Sequence, residues 1–253
     1  MSLPKRSSAV RLGAALAAAS LAACGTRPQA PPPSAGAAPA PASAAPKPNR
    51  LFPAADLGLI EPPDREQWQS PDLIMDDLGI ADGNVVADLG AGGGWFTVRL
   101  ARRVGPNGLV YAIDVQPQMI ETVRQRVRRE RLANVRVVLG SAADPLPPGL
   151  DAVLAVGVYH EMACAQKAVC EEPIGMLENV ARSLKPQGRF GVVDFFPGDG
   201  GPGPAPEARV DPETVVRAAS AAGLQLIARK AIPPFEFQYL LVFGRPSPAR
   251  AAR

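Results

Sequence analysis

The residues best suited by type and spacing to do chemistry are Asp88-Leu89-Gly90-Ala91-Gly92-Gly93-Gly94-Trp95. Glycines crowded into a turn let a backbone pass close to a ligand and can aim free N–H groups at it. A pyrophosphate-binding loop wants a small residue where Trp95 stands, so that helix and strand can pack closely. The carboxylate of Asp88 would also repel a pyrophosphate and suits a cationic amine. The plainer reading is a tight turn whose glycines serve backbone geometry alone. A second constellation is Val158-Tyr159-His160-Glu161, which holds the single histidine of the chain. An imidazole at the carboxyl end of a strand could take a proton near neutral pH, or simply order its loop. Glu161 is the reserve acid–base candidate, set against a solvated loop acid. Tyr159 and Trp95 could turn ring faces toward a cation or pack in a core. Asp194 could touch a ligand or cap the loop that follows it.

These residues need elements to position them. Val85 to Leu89 is a short apolar run ending in the glycines and reads as a buried strand. Trp95 to Arg103 reads as a helix, and Leu109 to Val115 as a second strand. Pro117 opens a helix to about Leu132, with Ile120, Val123 and Val127 on one face. Val135 to Leu139 and Asp151 to Val158 are further strands. Ile174 to Leu184 is a helix stopped by Lys185-Pro186-Gln187-Gly188, and Arg189 to Phe195 is the fifth strand. Asp211 caps a helix with Pro212 at its first position and Gly223 beyond its last turn. Leu224 to Ala231 and Phe235 to Phe243 read as two strands joined through Pro233-Pro234. Pro71 to Leu78 reads as a helix in a cap, with Arg65 to Ser70 leading in. Strands alternating with helices predict an α/β fold: a Rossmann-like, mostly parallel seven-stranded sheet with helices on both faces and a reversed last strand.

In this order the motifs resemble those of class I S-adenosylmethionine (SAM)-dependent methyltransferases. The similarity is closest to the ubiquinone/menaquinone-biosynthesis-like C-methyltransferases of the type 11 group and to exported proteins related to them. It covers about residues 55–245. An acid followed by spaced glycines resembles the family's first motif. Asp114, ending Val110-Tyr111-Ala112-Ile113-Asp114, stands where the family binds both ribose hydroxyls. Two oxygens on one side chain can accept from two vicinal hydroxyls. Gly140-Ser141-Ala142-Ala143-Asp144 stands where the family recognises adenine, with Ser141 in place of the usual acid. The resemblance thus implies SAM as cofactor, held by Asp88, Gly90, Ala91, Gly92, Gly94, Asp114, Val115, Ser141, Ala142 and Val156. It implies a methyltransferase acting on an unidentified small molecule, with His160, Glu161 and Tyr159 as catalytic candidates. The alternative is a non-catalytic envelope protein that binds SAM or a nucleoside. Methyl transfer from a sulfonium is an in-line displacement, so the protein mainly holds nucleophile and methyl carbon in line. Trp68-Gln69 lies where related sequences cover the cofactor. The Gly- and Pro-rich interval from Pro197 to Ala208 lies near the acceptor in that family, as a mobile lid or a surface connector.

The leader has its own logic. Lys5, Arg6 and Arg11 precede twelve small or apolar residues from Leu12 to Ala23, too few to span a bilayer but enough for a secretory signal. Leu21-Ala22-Ala23-Cys24-Gly25 resembles the lipobox of bacterial lipoproteins, set against a plain secretory signal. The resemblance implies cleavage after residue 23, a diacylglycerol on Cys24 and a membrane anchor facing the periplasm, with Gly25 pointing to the outer membrane. Residues 25–50 hold eight prolines and eight alanines and read as an extended tether. The domain is then 51–245, followed by a tail at 246–253. The formal charge of +3 belongs to the leader and tether: six of the 27 basic residues and none of the 24 acids lie in 1–50. The body is acidic, which argues against nucleic acid as a partner. Arginines 124, 126, 128, 129 and 131 read as a solvated helix face, with anionic headgroups as an alternative contact. Cys164 and Cys170 could form a disulfide in an exported protein. Zinc on His160, Cys164 and Cys170 lacks a fourth ligand, so no metal is expected.

Overall fold

The apolar runs form strands where their period demands it. In the computed structural model, which describes residues 52–141, 146–164, 173–234 and 237–246, seven strands make one sheet. The signal peptide, Cys24, the tether, Ala142, Asp144, Cys170 and the tail beyond residue 246 lie outside the described residues. In chain order come α1 (Leu57–Ile60), α2 (Arg65–Gln69), α3 (Pro71–Asp77), β1 (Val85–Leu89), α4 (Trp95–Val104) and β2 (Leu109–Asp114). Then follow α5 (Pro117–Arg129), β3 (Val135–Leu139), β4 (Leu150–Val156), α6 (Tyr159–Cys164), α7 (Ile174–Ser183), β5 (Leu184–Phe195), α8 (Pro212–Ala221), β6 (Gln225–Ala231) and β7 (Gln238–Gly244).

The strand order is β3-β2-β1-β4-β5-β7-β6. The pairs from β3 to β5 are parallel, and β7 runs antiparallel to both β5 and β6. Alternating side chains go to opposite faces. In β4, Val153 and Ala155 join a core with α6, α7 and α8, while Ala152 and Leu154 join a second core with α3 and α4. In β7, Tyr239, Leu241 and Phe243 take the first side and Leu240 and Val242 the second. Covered on both faces, the central strands read as unbroken apolar runs.

Helix ends follow local chemistry. Pro117 opens α5, and Arg126, Arg128 and Arg129 fall in its last turn, opposite the negative end of the helix dipole. Asp211 accepts from the backbone N–H of Glu213 at 2.7 Å and caps α8. Two boundaries differ from expectation. Lys185 to Gly188 does not separate helix from strand but lies within β5 as a register irregularity between Leu150 and Ala152 of the partner strand. The fourth strand stops at Val156, and Tyr159 already starts α6.

Strand order reverses between β1 and β4. In an open α/β sheet the crevice outside the carboxyl ends at such a point is where ligands bind. The glycine turn, Asp114, His160 and Phe195 all leave their strands at that edge.

Candidate active site

A cavity of about 270 Å³ opens at this edge. Its floor is Gly90, Gly92, Asp114 and Val156; one wall carries His160, Glu161, Phe195 and Gln238. The cap closes it from above with Phe52, Leu59, Ile60, Arg65, Trp68 and Gln69, and the loop after β5 adds Pro202, Gly203 and Pro204. Gln116 and Met119 at the start of α5 complete it.

The glycine turn acts through shape. Gly90 has φ +74°, and a Cβ there would lie 2.1 Å from the side chain of Val158, so no other residue fits without displacing the floor. The N–H groups of Gly90 and Ala91 both donate to the Ile113 carbonyl, at 2.9 and 3.0 Å. Gly94 N–H donates to Ala91, and Gly92 N–H to Asp114 Oδ2 at 2.8 Å. These four N–H groups are therefore engaged within the protein, where the sequence suggested donors free for a ligand. Asp114 is held from both sides, since Oδ1 accepts from the Gln116 N–H at 2.9 Å. Burial raises its pKa, against the hydrogen bonds of Gln116, Gly92 and Val115, which lower it.

Asp88 does not line the cavity. It is 3% exposed beneath the turn, with Oδ2 accepting from Thr97 Oγ1 at 2.6 Å. Burial pushes its pKa up to about 6, despite the Thr97 hydrogen bond. Its influence on a ligand is through its field. Ala91 packs with Ala112 and Val123, Gly94 faces Val123 of α5, and Val115 and Ser141 lie at the surface; none lines the cavity.

His160 lines the cavity, and its Nδ1 lies 3.1 Å from both oxygens of Asp194. Asp194 is wholly buried and also accepts from the backbone N–H groups of His160 and Phe195, at 3.2 and 2.9 Å. It therefore orients His160 from behind and does not reach the cavity. With Nδ1 engaged, Nε2 is the ring nitrogen left for a ligand. Burial alone would lower the His160 pKa; the hydrogen bond and charge of Asp194, joined by Glu161, outweigh it and hold the imidazole above its ordinary value. Burial raises the Glu161 pKa, while His160 and the Phe52 N–H oppose it.

Two aromatic expectations are corrected. Tyr159 is fully buried in the core under α6 and α7, because the helix that begins there turns its ring over the sheet. The Trp95 ring already carries two guanidinium groups, Arg99 at 3.4 Å and Arg65 at 4.3 Å from its centroid. Neither lines the cavity. Trp68 does, 6.5 Å from Phe195 between ring centroids, and Gln69 Nε2 donates to Gln238 Oε1 at 2.7 Å.

Several contributors were not legible beforehand. Arg209 gathers the loop after β5: it donates to the carbonyls of Pro204, Gly198 and Gly200 at 3.1, 3.0 and 2.9 Å and lies over the Phe195 ring. Gly203, with φ +104°, presses on that ring, and a Cβ would come within 2.6 Å of it. The loop is thus a built wall of the cavity rather than a plain connector. Arg126 leaves the solvated face of α5 to pair with Glu61 of the cap, 2.5 Å between Nη2 and Oε2. No group of three His, Cys, Asp or Glu that could hold a metal ion occurs among the described residues. Nor is any described helix long and apolar enough to cross a membrane.

Known proteins align with this architecture. Residues 86–188 match the family model of the methyltransferase domain. The chain is 32% identical over 126 residues to the ubiquinone/menaquinone biosynthesis C-methyltransferase UbiE of Pasteurella multocida, covering 49% of this chain and 44% of that one. It is 34% identical over 68 residues to a protein-L-isoaspartate O-methyltransferase of Methanothrix thermoacetophila, covering 27% and 32%. The chain thus spans less than half the length of these curated relatives. A SAM-dependent methyltransferase from Aquifex aeolicus superposes with a TM-score of 0.69 at 24% identity, over 76% of this chain and 98% of that one. The fold is that of the class I SAM-dependent methyltransferases.

Proposed function

We propose that this protein is a SAM-dependent methyltransferase whose acceptor is a small molecule that gives up a proton. The observation that carries the reading is Asp114. It stands at the carboxyl end of β2 in the floor of the cavity, clamped by two backbone N–H groups and beside the glycine turn. A fixed carboxylate with lone pairs to spare fits a vicinal diol. The shallow floor that Gly90 leaves fits a ligand lying flat against backbone. The relatives' printed activities, O- and C-methylation, belong to the same reaction class.

When bound, SAM supplies an electrophilic methyl group on a sulfonium. This chain's residues do the rest. Asp114 fixes the sugar. Phe195, Trp68 and the loop at Pro202 to Pro204 exclude water from an apolar acceptor. His160 takes the acceptor's proton on Nε2, in the tautomer that Asp194 imposes on Nδ1. The Asp194 partnership favours catalysis over simple ligand storage, since a storage site needs no oriented base. We also infer export and lipid anchoring at Cys24, supported by the leader and lipobox; labelling with a palmitate analogue, abolished by Cys24→Ala, checks it.

The experiment is transfer of labelled methyl from SAM to phenols, hydroxyquinones and enols, with amines as the contrast. Labelled hydroxyl acceptors, and loss of labelling in His160→Ala with SAM affinity kept, support the reading. SAM binding with no product from any acceptor favours the storage protein.

A further inference from the structure

The proposed methyl transfer leaves Arg65 without a role. It lies in the cap helix α2, partly buried, and lines the cavity. Its Nε donates to Gln69 Oε1 and its Nη1 to the Ile60 carbonyl, both at 2.7 Å. The guanidinium is stacked against Trp95 and Phe96, at 4.3 and 5.7 Å from their centroids. It is therefore fixed in place, and its Nη2 makes no hydrogen bond among the described residues.

No carboxylate forms a salt bridge with Arg65 among the described residues. The two acids whose fields reach it are engaged elsewhere, Glu61 with Arg126 and Asp88 with Thr97. Desolvation, the largest influence on it, lowers its pKa to about 10, so it remains a cation at neutral pH. A guanidinium held out of water without a counter-ion is costly and invites an anion. Among the cavity's described lining residues it is the only Arg or Lys, in a lining that also holds the acids Asp114 and Glu161; His160 is already tied to Asp194.

We propose that Arg65 is the carboxylate-binding residue of this cavity and receives the α-carboxylate at the amino-acid end of the cofactor. The assignment rests on the SAM reading above. The planar fork suits a carboxylate, and its pre-positioned Nη2 loses little freedom on binding. The ligand's amine then falls toward the field of Asp88, and its sugar toward Asp114. Arg65 would select a zwitterionic adenosyl compound over one lacking the acid, and it would tie closure of the cap to cofactor binding.

The test compares SAM with decarboxylated SAM, which keeps the sulfonium and the amine and lacks only the carboxylate. Affinities are measured by calorimetry on the full chain and on Arg65→Gln and Arg65→Lys. A charge-assisted hydrogen bond corresponds to a preference of roughly 10–100-fold for SAM in the unaltered protein. In Arg65→Gln this preference falls to about 3-fold or less, through loss of SAM affinity alone; Arg65→Lys recovers part of it. An unchanged ratio in Arg65→Gln, equal weakening of both ligands, or no preference in the unaltered protein overturns the assignment while leaving the cofactor reading intact. Binding of neither ligand to the unaltered protein overturns the cofactor reading and this assignment with it. If the glutamine variant does not fold, the lysine variant and the unaltered protein still supply the comparison.

Discussion

Replacing Asp88 by Asn makes the ligand-free protein more stable and the ligand-bound protein relatively less so. Asp88 ionises at about 6 in the fold, against an ordinary 3.8, chiefly because burial disfavours its charge. The folded state therefore holds a proton that the unfolded chain has released between these values. Stability is lost as pH rises through that window, and the loss is complete above about 6. The displacement corresponds to about 3 kcal/mol at neutral pH. Asparagine carries no charge and can still accept from Thr97 Oγ1 through its carbonyl. Its buried amide N–H groups need partners, which reduces the expected gain to roughly 1–3 kcal/mol. In a domain of this size that is a rise in Tm of roughly 2–12 °C. Urea unfolding followed by circular dichroism at pH 8, 6 and 4.5 reads it directly. The advantage of Asp88→Asn should be largest at pH 8 and shrink toward pH 4.5. SAM should stabilise the unaltered protein more than the variant, because the carboxylate's field then faces the ligand's amine. A variant no more stable than the original at pH 8, or an advantage independent of pH, would show that burial does not hold the Asp88 carboxyl up.

Three further outcomes follow from the same geometry. Asp194→Asn removes the charge that raises His160 and leaves the burial that lowers it, so the acid limb of the pH–rate profile moves to lower pH, and the rate drops roughly 100-fold; an unmoved limb assigns the base elsewhere. Gly203→Ala forces a Cβ against Phe195 from a backbone conformation that costs about 1–3 kcal/mol; the KM of the acceptor should rise while the Kd of SAM is unchanged, as steady-state kinetics and calorimetry would read. Arg126→Ala strips Glu61 of its partner on the cap and should cost about 1–2 kcal/mol in chemical unfolding, discounted for partial exposure.

The strands and most helices were legible because their periods are strong. The central strands are apolar on both faces, α5 and α8 open on proline, and the reversed last strand follows from two strands with no helix between them. The glycine turn and Asp114 were legible as cavity lining because both sit where parallel strands end at the sheet edge and the glycines mark a positive-φ turn. The roles of Asp194 and Arg209 were not. Asp194 reads as one acid at a strand end, and only the packing of α6 over β5 brings His160 onto it. Arg209 is one of many arginines until the chain folds back and its fork meets the carbonyls of the loop. Tyr159 misled because it adjoins His160 in sequence. On a helix, neighbours point about 100° apart, so one lines the cavity and the other the core. The cap contributes Phe52, Leu59, Ile60 and Arg65 from segments too short to show a period.

The proposed methyl transfer requires this cavity to hold an adenosyl sulfonium by its sugar. Calorimetry of the full chain with SAM and with NAD, repeated on Asp114→Ala, tests it most directly. Saturable SAM binding is expected, weakening at least roughly 10-fold in the variant through the loss of a charge-assisted hydrogen bond, with no comparable heat from NAD. Absence of SAM binding, equal affinity for NAD, or an Asp114→Ala variant that binds SAM as well as the original would contradict it.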